Sequence, residues 1–141
     1  RPAVEGRESM SHADKGERVA VPVKARKRWT DSGVVVEPGM RYRISARPTD
    51  RWIDWFIPSG PDGYTKWFLK PVEFLRRAPR APWFALMATV GGGEPFLVGT
   101  GLEFNADAGG RLELFANDIG FMYWNNWGQI RVTIELVGPA L

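Results

Sequence analysis

No run of this sequence goes far before a glycine or a proline interrupts it. The chain of 141 residues carries 16 Gly and 11 Pro, interleaved with 7 Trp, 8 Phe and 3 Tyr. Glycine and proline form turns and interrupt helices, whereas large flat side chains suit the pleated surface of a strand. The combination predicts short strands joined by turns rather than a helical bundle. Apolar residues at 44% and charged residues at 25% match an ordinary globular chain, so the strands are expected to bury a core.

The strands can be placed from their alternation. Val19-Ala-Val21-Pro-Val23 alternates weakly, and its proline suits an edge strand. Val34–Val36 ends at the turn signal Glu37-Pro38-Gly39, after which Met40, Tyr42, Ile44 and Ala46 alternate with Arg41, Arg43, Ser45 and Arg47. Trp83–Val90, Pro95–Val98, Leu102–Phe104 and Arg111–Ala116 read as further strands. The clearest is the last, where Ile130, Val132, Ile134 and Leu136 alternate with Arg131, Thr133 and Glu135. Residues 48–82, rich in proline, predict a long irregular loop with a helical turn near Val72–Arg77. Residues 1–18, polar and without period, predict a tail, and 19–141 a single domain. Short strands and Gly/Pro turns together predict an all-β, antiparallel sandwich.

Composition also narrows the chemistry. The sequence has no Cys, which removes disulfides, zinc–thiolate sites, iron–sulfur centres and thiol nucleophiles. Its one His, His12, lies in the polar tail, so a Ser-His-Asp triad or a histidine-ligated zinc is not expected. The basic excess sits in Lys24, Arg26, Lys27 and Arg28, and in Arg41, Arg43, Arg47 and Arg51. With a net charge of only +3 and no nucleic-acid motif, this reads as a solvated face rather than a nucleic-acid surface. Apolar stretches such as Pro82–Met87 fall far short of the roughly 20 residues of a membrane-spanning helix. No signal-peptide core is visible either, and a chain opening at Arg1 leaves export undecided.

One segment carries a ligand-binding pattern. Between two well-marked strands, Phe115–Gly128 holds Asp118 and, seven and eight residues on, Asn125 and Asn126. Calcium takes six to eight oxygens from carboxylates, amide carbonyls and the main chain. A loop turning back on itself can aim these three side chains at one ion. The same residues can equally form Asx turns and hold the loop backbone. Phe121, Tyr123, Trp124 and Trp127 either plug the sandwich end or offer a face for stacking on a pyranose. A second aromatic group, Trp52, Asp54, Trp55 and Phe56, includes an acid that can add a ligand or a sugar hydrogen bond but reads first as a surface aspartate. Asp54 and Asp118 show no matched acid and base, so no enzyme is expected.

From about Trp29 to Val137 the chain resembles the calcium-dependent, galactose-binding lectins of bacteria. The resemblance rests on Trp29-Thr-Asp-Ser-Gly33-Val with Glu37-Pro-Gly39, on Gly99-Thr-Gly-Leu102, on Asn117-Asp118 with Tyr123 and Asn125-Asn126, and on the alternating last strand. It implies a jelly-roll β-sandwich of galactose-binding-domain-like type, in which calcium in an end-loop bridges the protein to sugar hydroxyls. It implies Asp118, Asn125 and Asn126 as side-chain calcium ligands, and the carbonyls of Met122 and Trp55 as main-chain ligands. The sugar-contacting residues it implies are Asp118, Asn125, Trp52, Tyr123 and Trp124. It further implies a non-catalytic carbohydrate-binding domain, extracellular or at the cell surface, taking a galactoside or another glycan. Weak sites of this kind gain from homo-oligomerisation or attachment to a larger protein. Phe121, Met122 and Trp124 stand where that family has a small, Gly-rich loop. Its sugar-holding His and Gln have no aligned counterpart in residues 56–82. The alternative is a domain of the same fold without calcium, docking to a protein or membrane surface through its aromatic loops.

Overall fold

The computed structural model describes residues 16–64, 75–118 and 123–141. Among them ten strands form two antiparallel sheets, and no α-helix is present. In chain order the strands are β1 (Arg18–Lys24), β2 (Thr30–Val36), β3 (Met40–Ala46), β4 (Trp52–Asp54) and β5 (Ile57–Ser59). They continue with β6 (Leu86–Val90), β7 (Phe96–Leu97), β8 (Gly101–Asn105), β9 (Gly110–Ala116) and β10 (Asn126–Pro139). The first sheet runs β5-β4-β10-β3-β8 with β1 also paired to β10; the second runs β2-β9-β6-β7. This is the antiparallel β-sandwich that the alternation predicts.

Strict alternation explains why β3 and β10 lie centrally. Tyr42, Ile44 and Ala46 of β3 and Ile130, Val132, Ile134 and Leu136 of β10 are buried on the inner face. Their intervening residues face outward, where Arg43 bridges Glu103 at 2.7 Å and Glu135 at 3.0 Å. Opposite them, Val34, Val36, Leu86, Leu112 and Leu114 of the second sheet complete the same core. Strand β1 pairs only with β10, and its Pro22 faces solvent, as an edge strand allows. Backbone bonds between Gly16 or Glu17 and Leu136 carry the sheet slightly upstream of residue 19. The rest of the expected tail, with His12, lies outside the described residues.

The segment 48–82 departs from the expected irregular loop, because β4 and β5 form a two-residue hairpin within it. Three-residue strands are too short for periodicity to reveal, and here cross-strand pairing with β10 creates them. Half of the expected helical turn at Val72–Arg77 falls outside the described residues. Residues 78–81 cover the outer face of the second sheet, where Ala81, Ala85, Met87 and Phe115 form a smaller apolar cluster.

Candidate functional site

Four pieces of chain meet at one end of the sandwich: the exit of β9, the entry to β10, the β4–β5 hairpin and the β1–β2 turn. What holds them is a set of buried polar anchors. Asn117, fully buried after β9, accepts the Ala78 amide at 2.9 Å and donates to the Ala78, Ala81 and Pro82 carbonyls. Its own carbonyl accepts the Phe84 amide at 2.7 Å. The Phe84 carbonyl accepts the indole N–H of Trp52 at 3.0 Å, and the two rings meet edge to face at 5.7 Å. The chain Asn117–Phe84–Trp52 thus ties the end of β9 to the base of the hairpin.

Asp118, next in sequence, is 3% exposed. One of its carboxylate oxygens, Oδ2, accepts a bond of 3.0 Å from Asn126 Nδ2, which also donates to the Ala25 carbonyl at 3.1 Å. The amide nitrogen of Asn126 is therefore committed, and its oxygen is the atom left over. Asn126 Oδ1 is buried with no hydrogen-bond partner, and so is Asn125 Oδ1. Two adjacent amide oxygens without donors, beside a buried carboxylate, are costly unless something positive satisfies them. Of the three side chains named from the sequence, Asp118 and Asn126 are in direct contact, and Asn125 is tied to the hairpin through its backbone carbonyl.

The hairpin adds a residue that the sequence reading placed at the surface. Asp54 lies directly across from Asn126 in the β4–β10 register, so both side chains share a face. It is partly buried, and its Oδ2 accepts the Tyr64 hydroxyl at 2.6 Å. Burial pushes the Asp54 carboxyl up, and the Tyr64 hydrogen bond opposes that rise. Tyr64 is pushed far up, first by burial, then by its bond to Asp54, the charge of Asp54 and the charge of Asp118. Asp54 thus puts a second carboxylate beside the first. The pairing of β4 with β10 sets its position opposite Asn126, which β4, without a periodic signal of its own, does not announce.

Two expected sugar contacts are corrected. Trp52 is 0% exposed, so neither face of its ring can meet a ligand. Tyr123, in the 3₁₀ turn Tyr123–Asn125, is 4% exposed; its hydroxyl donates to the Ala116 carbonyl and accepts from Arg77 at 3.1 Å. Burial raises this phenol to about 12, although the adjacent Arg77 charge and hydrogen bond draw it down. Both are structural plugs, the role that aromatic residues adopt when their polar tips find partners inside. Met122 lies outside the described residues, as does Phe121.

The exposed rings are others. Trp55 is 68%, Phe56 63%, Trp124 67% and Trp127 53% exposed, and Ile53, at 37%, lies directly opposite Trp127. Trp55 and Phe56 are the two turn residues of the hairpin, with rings 4.5 Å apart at 69°. The Trp55 amide donates to the Asn125 carbonyl at 3.0 Å, which fastens the hairpin tip over the Asn pair. Trp55 adopts φ +59°, a left-handed conformation that normally calls for glycine at this turn position. Arg26 lies 4.5 Å over the Trp127 ring and donates to the Trp124 carbonyl at 3.1 Å. Among the described residues, no three His, Cys, Asp or Glu side chains converge, and no helix is long and apolar enough to cross a membrane.

This architecture is similar to that of a solved structure described as an EclA N-terminal domain, a PllA-like lectin. The two share 22% sequence identity with a TM-score of 0.64, over 84% of this chain and 95% of the other. The likeness is one of fold, in line with the expected antiparallel β-sandwich. No family model matches the sequence, and no curated protein matches it.

Proposed function

We propose, from the lectin fold and the oxygen cluster beneath the hairpin tip, that the chain is a non-catalytic, calcium-dependent carbohydrate-binding domain. The observation that carries this reading is the buried, unpartnered amide oxygen of Asn126, whose nitrogen bonds the Asp118 carboxylate, with a second unpartnered amide oxygen on the next residue, Asn125. A hard cation satisfies such a set, and neutral oxygens with one or two carboxylates suit the weak calcium affinities of extracellular modules, roughly 10⁻⁴–10⁻³ M. Asp118, Asn125 and Asn126 hold the ion, with Asp54 as an added carboxylate and the carbonyls of Trp55 and Met122 as main-chain donors. Calcium there would complete its shell with the hydroxyls of a galactoside or another glycan. Trp55, Phe56 and Trp124 would stack on the sugar's apolar face. Extracellular placement, and multiplication of weak sites by oligomerisation or tethering, belong to the same reading.

The test is a thermal melt with millimolar calcium and with excess chelator, followed by calcium calorimetry. At ten times Kd, the upper end for millimolar calcium at such a site, a bound ion adds about 1.4 kcal/mol of apparent stability. That moves the melt by several degrees. Asp118→Asn and Asn126→Ala are expected to abolish the shift, and Asp54→Asn to weaken binding roughly tenfold. An unchanged melt with no calorimetric heat overturns the calcium reading.

A second reading is favoured by one observation: Ile53, Trp55, Phe56, Trp124 and Trp127 leave a contiguous apolar surface at this end. Aromatic residues in this setting suit a protein or lipid interface. A chain that ignores calcium and glycans but loses a partner upon Trp55→Ala and Trp124→Ala fits that reading instead.

A further inference from the structure

The β1–β2 turn borders the oxygen cluster through Ala25, and elsewhere it shapes a separate groove of about 470 Å³. Pro22, Lys24, Lys27, Trp29, Thr30 and Asp31 line it. The Lys27 amide donates to the Lys24 carbonyl at 3.1 Å, so the two lysines are the first and last residues of one tight turn. No carboxylate is within ion-pairing distance of either among the described residues. Asp31, the groove's one acid, is already engaged by Arg111 at 3.2 Å and by the Gly33 amide at 2.9 Å. Trp29 is 52% exposed and forms part of the wall. Thr30 Oγ1 is buried and has no hydrogen-bond partner.

We infer that this groove is a second, calcium-independent subsite for an acidic sugar, a pyranose bearing a carboxylate or a sulfate. Two lysines of one turn, both lining the groove and neither paired with a carboxylate, offer positive charge to an anion there. An indole face stacks on the apolar side of a pyranose ring. Each feature has a bland counterpart elsewhere on the surface; here both line one concavity large enough for a sugar residue. The concavity also separates it from a membrane-docking surface, for which the protruding tip of Trp55 and Phe56 is better shaped. The subsite goes beyond the calcium reading and needs none of Asp54, Asp118, Asn125 or Asn126.

The experiment is a nuclear magnetic resonance titration of the full chain with a hyaluronan tetrasaccharide and a chondroitin sulfate tetrasaccharide. Carboxyl-reduced and desulfated counterparts serve as controls, and chelator is present throughout. The expected result is a shift of the Trp29 indole signal and of amides across Lys24–Asp31 with at least one acidic probe. The neutral counterpart should bind roughly tenfold more weakly, or not at all. Lys24→Gln with Lys27→Gln should weaken binding about tenfold, and Trp29→Ala comparably. Equal binding of acidic and neutral probes overturns the inference, as does silence towards both acidic probes. Binding confined to phosphatidylserine vesicles, and lost in the lysine variant, would make the turn a lipid contact and overturn it too. Because chelator is present, failure here leaves the calcium reading standing, and failure of calcium binding leaves this one standing.

Discussion

Trp52, Trp55 and Trp124 carry the same side chain under three different constraints. Trp52 is sealed between the sheets, with its N–H bonded to the Phe84 carbonyl, so Trp52→Ala should cost about 3–5 kcal/mol and jeopardise folding. Trp124→Ala, at an exposed position, should move the urea midpoint by less than about 0.5 kcal/mol. Trp55 is the opposite of Trp52 in another respect, since its backbone is strained at φ +59°. A left-handed non-glycine residue costs about 1 kcal/mol or more, so Trp55→Gly should be neutral or stabilising by up to about 1 kcal/mol in the same assay. A loss above about 1.5 kcal/mol would show that the Trp55–Phe56 ring contact holds the turn instead. A large ring kept at a strained turn beside the candidate ligand site is the pattern expected when position there serves binding. Composition reveals seven tryptophans; it cannot sort them, because burial depends on which segment lies opposite.

At the scale of elements, the long strands were legible, and β4 and β5 were not. The Ile130–Leu136 alternation spans enough residues for one face to be recognised, and its pairing with β3 and β1 follows the predicted faces. Strands β4 and β5 have three residues each, below the length at which period two can be read. Their existence depends on Gly128, whose φ is +83° and whose missing side chain lets β4 approach. A Cβ there would lie 3.1 Å from both the Arg51 carbonyl oxygen and the Trp52 Cα. Gly128→Ala should therefore loosen the hairpin, carrying Asp54 and Trp55 away from Asn125 and Asn126. The expected signature is a loss of roughly 1–3 kcal/mol together with faster amide exchange at Trp55, whose N–H bonds the Asn125 carbonyl. If only global stability falls while Trp55 keeps its protection, the hairpin does not depend on this glycine. The same dependence bears on the candidate site: Asp118, Asn125 and Asn126 stood out by spacing in one loop, whereas Asp54, read first as a surface residue, is set opposite Asn126 by strand pairing.

For the whole molecule, β10 is the common seam, bonded to β1 along one edge and to β3 and β4 along the other. Amides of Val132–Leu136 should exchange only through global unfolding, and those of β5, a three-residue strand at the sheet edge, through local opening. Ile134→Ala, fully buried on that seam, should lower stability by about 2–5 kcal/mol in a single cooperative transition. Separate unfolding of the two sheets would contradict that arrangement. The sequence by itself determined the class of fold, since alternation decides which residues face inward and Gly/Pro spacing decides where strands must stop. It also determined which chemistries are missing, because no arrangement of a chain without cysteine supplies a thiolate. Only the tertiary structure decided which aromatic rings are core and which are surface, and that Asp54 stands beside Asp118. It alone brought Lys24, Lys27 and Trp29 around one groove. The physical reason is that periodicity records which face a residue occupies, whereas a site is made by side chains from distant segments meeting at one end of the sandwich.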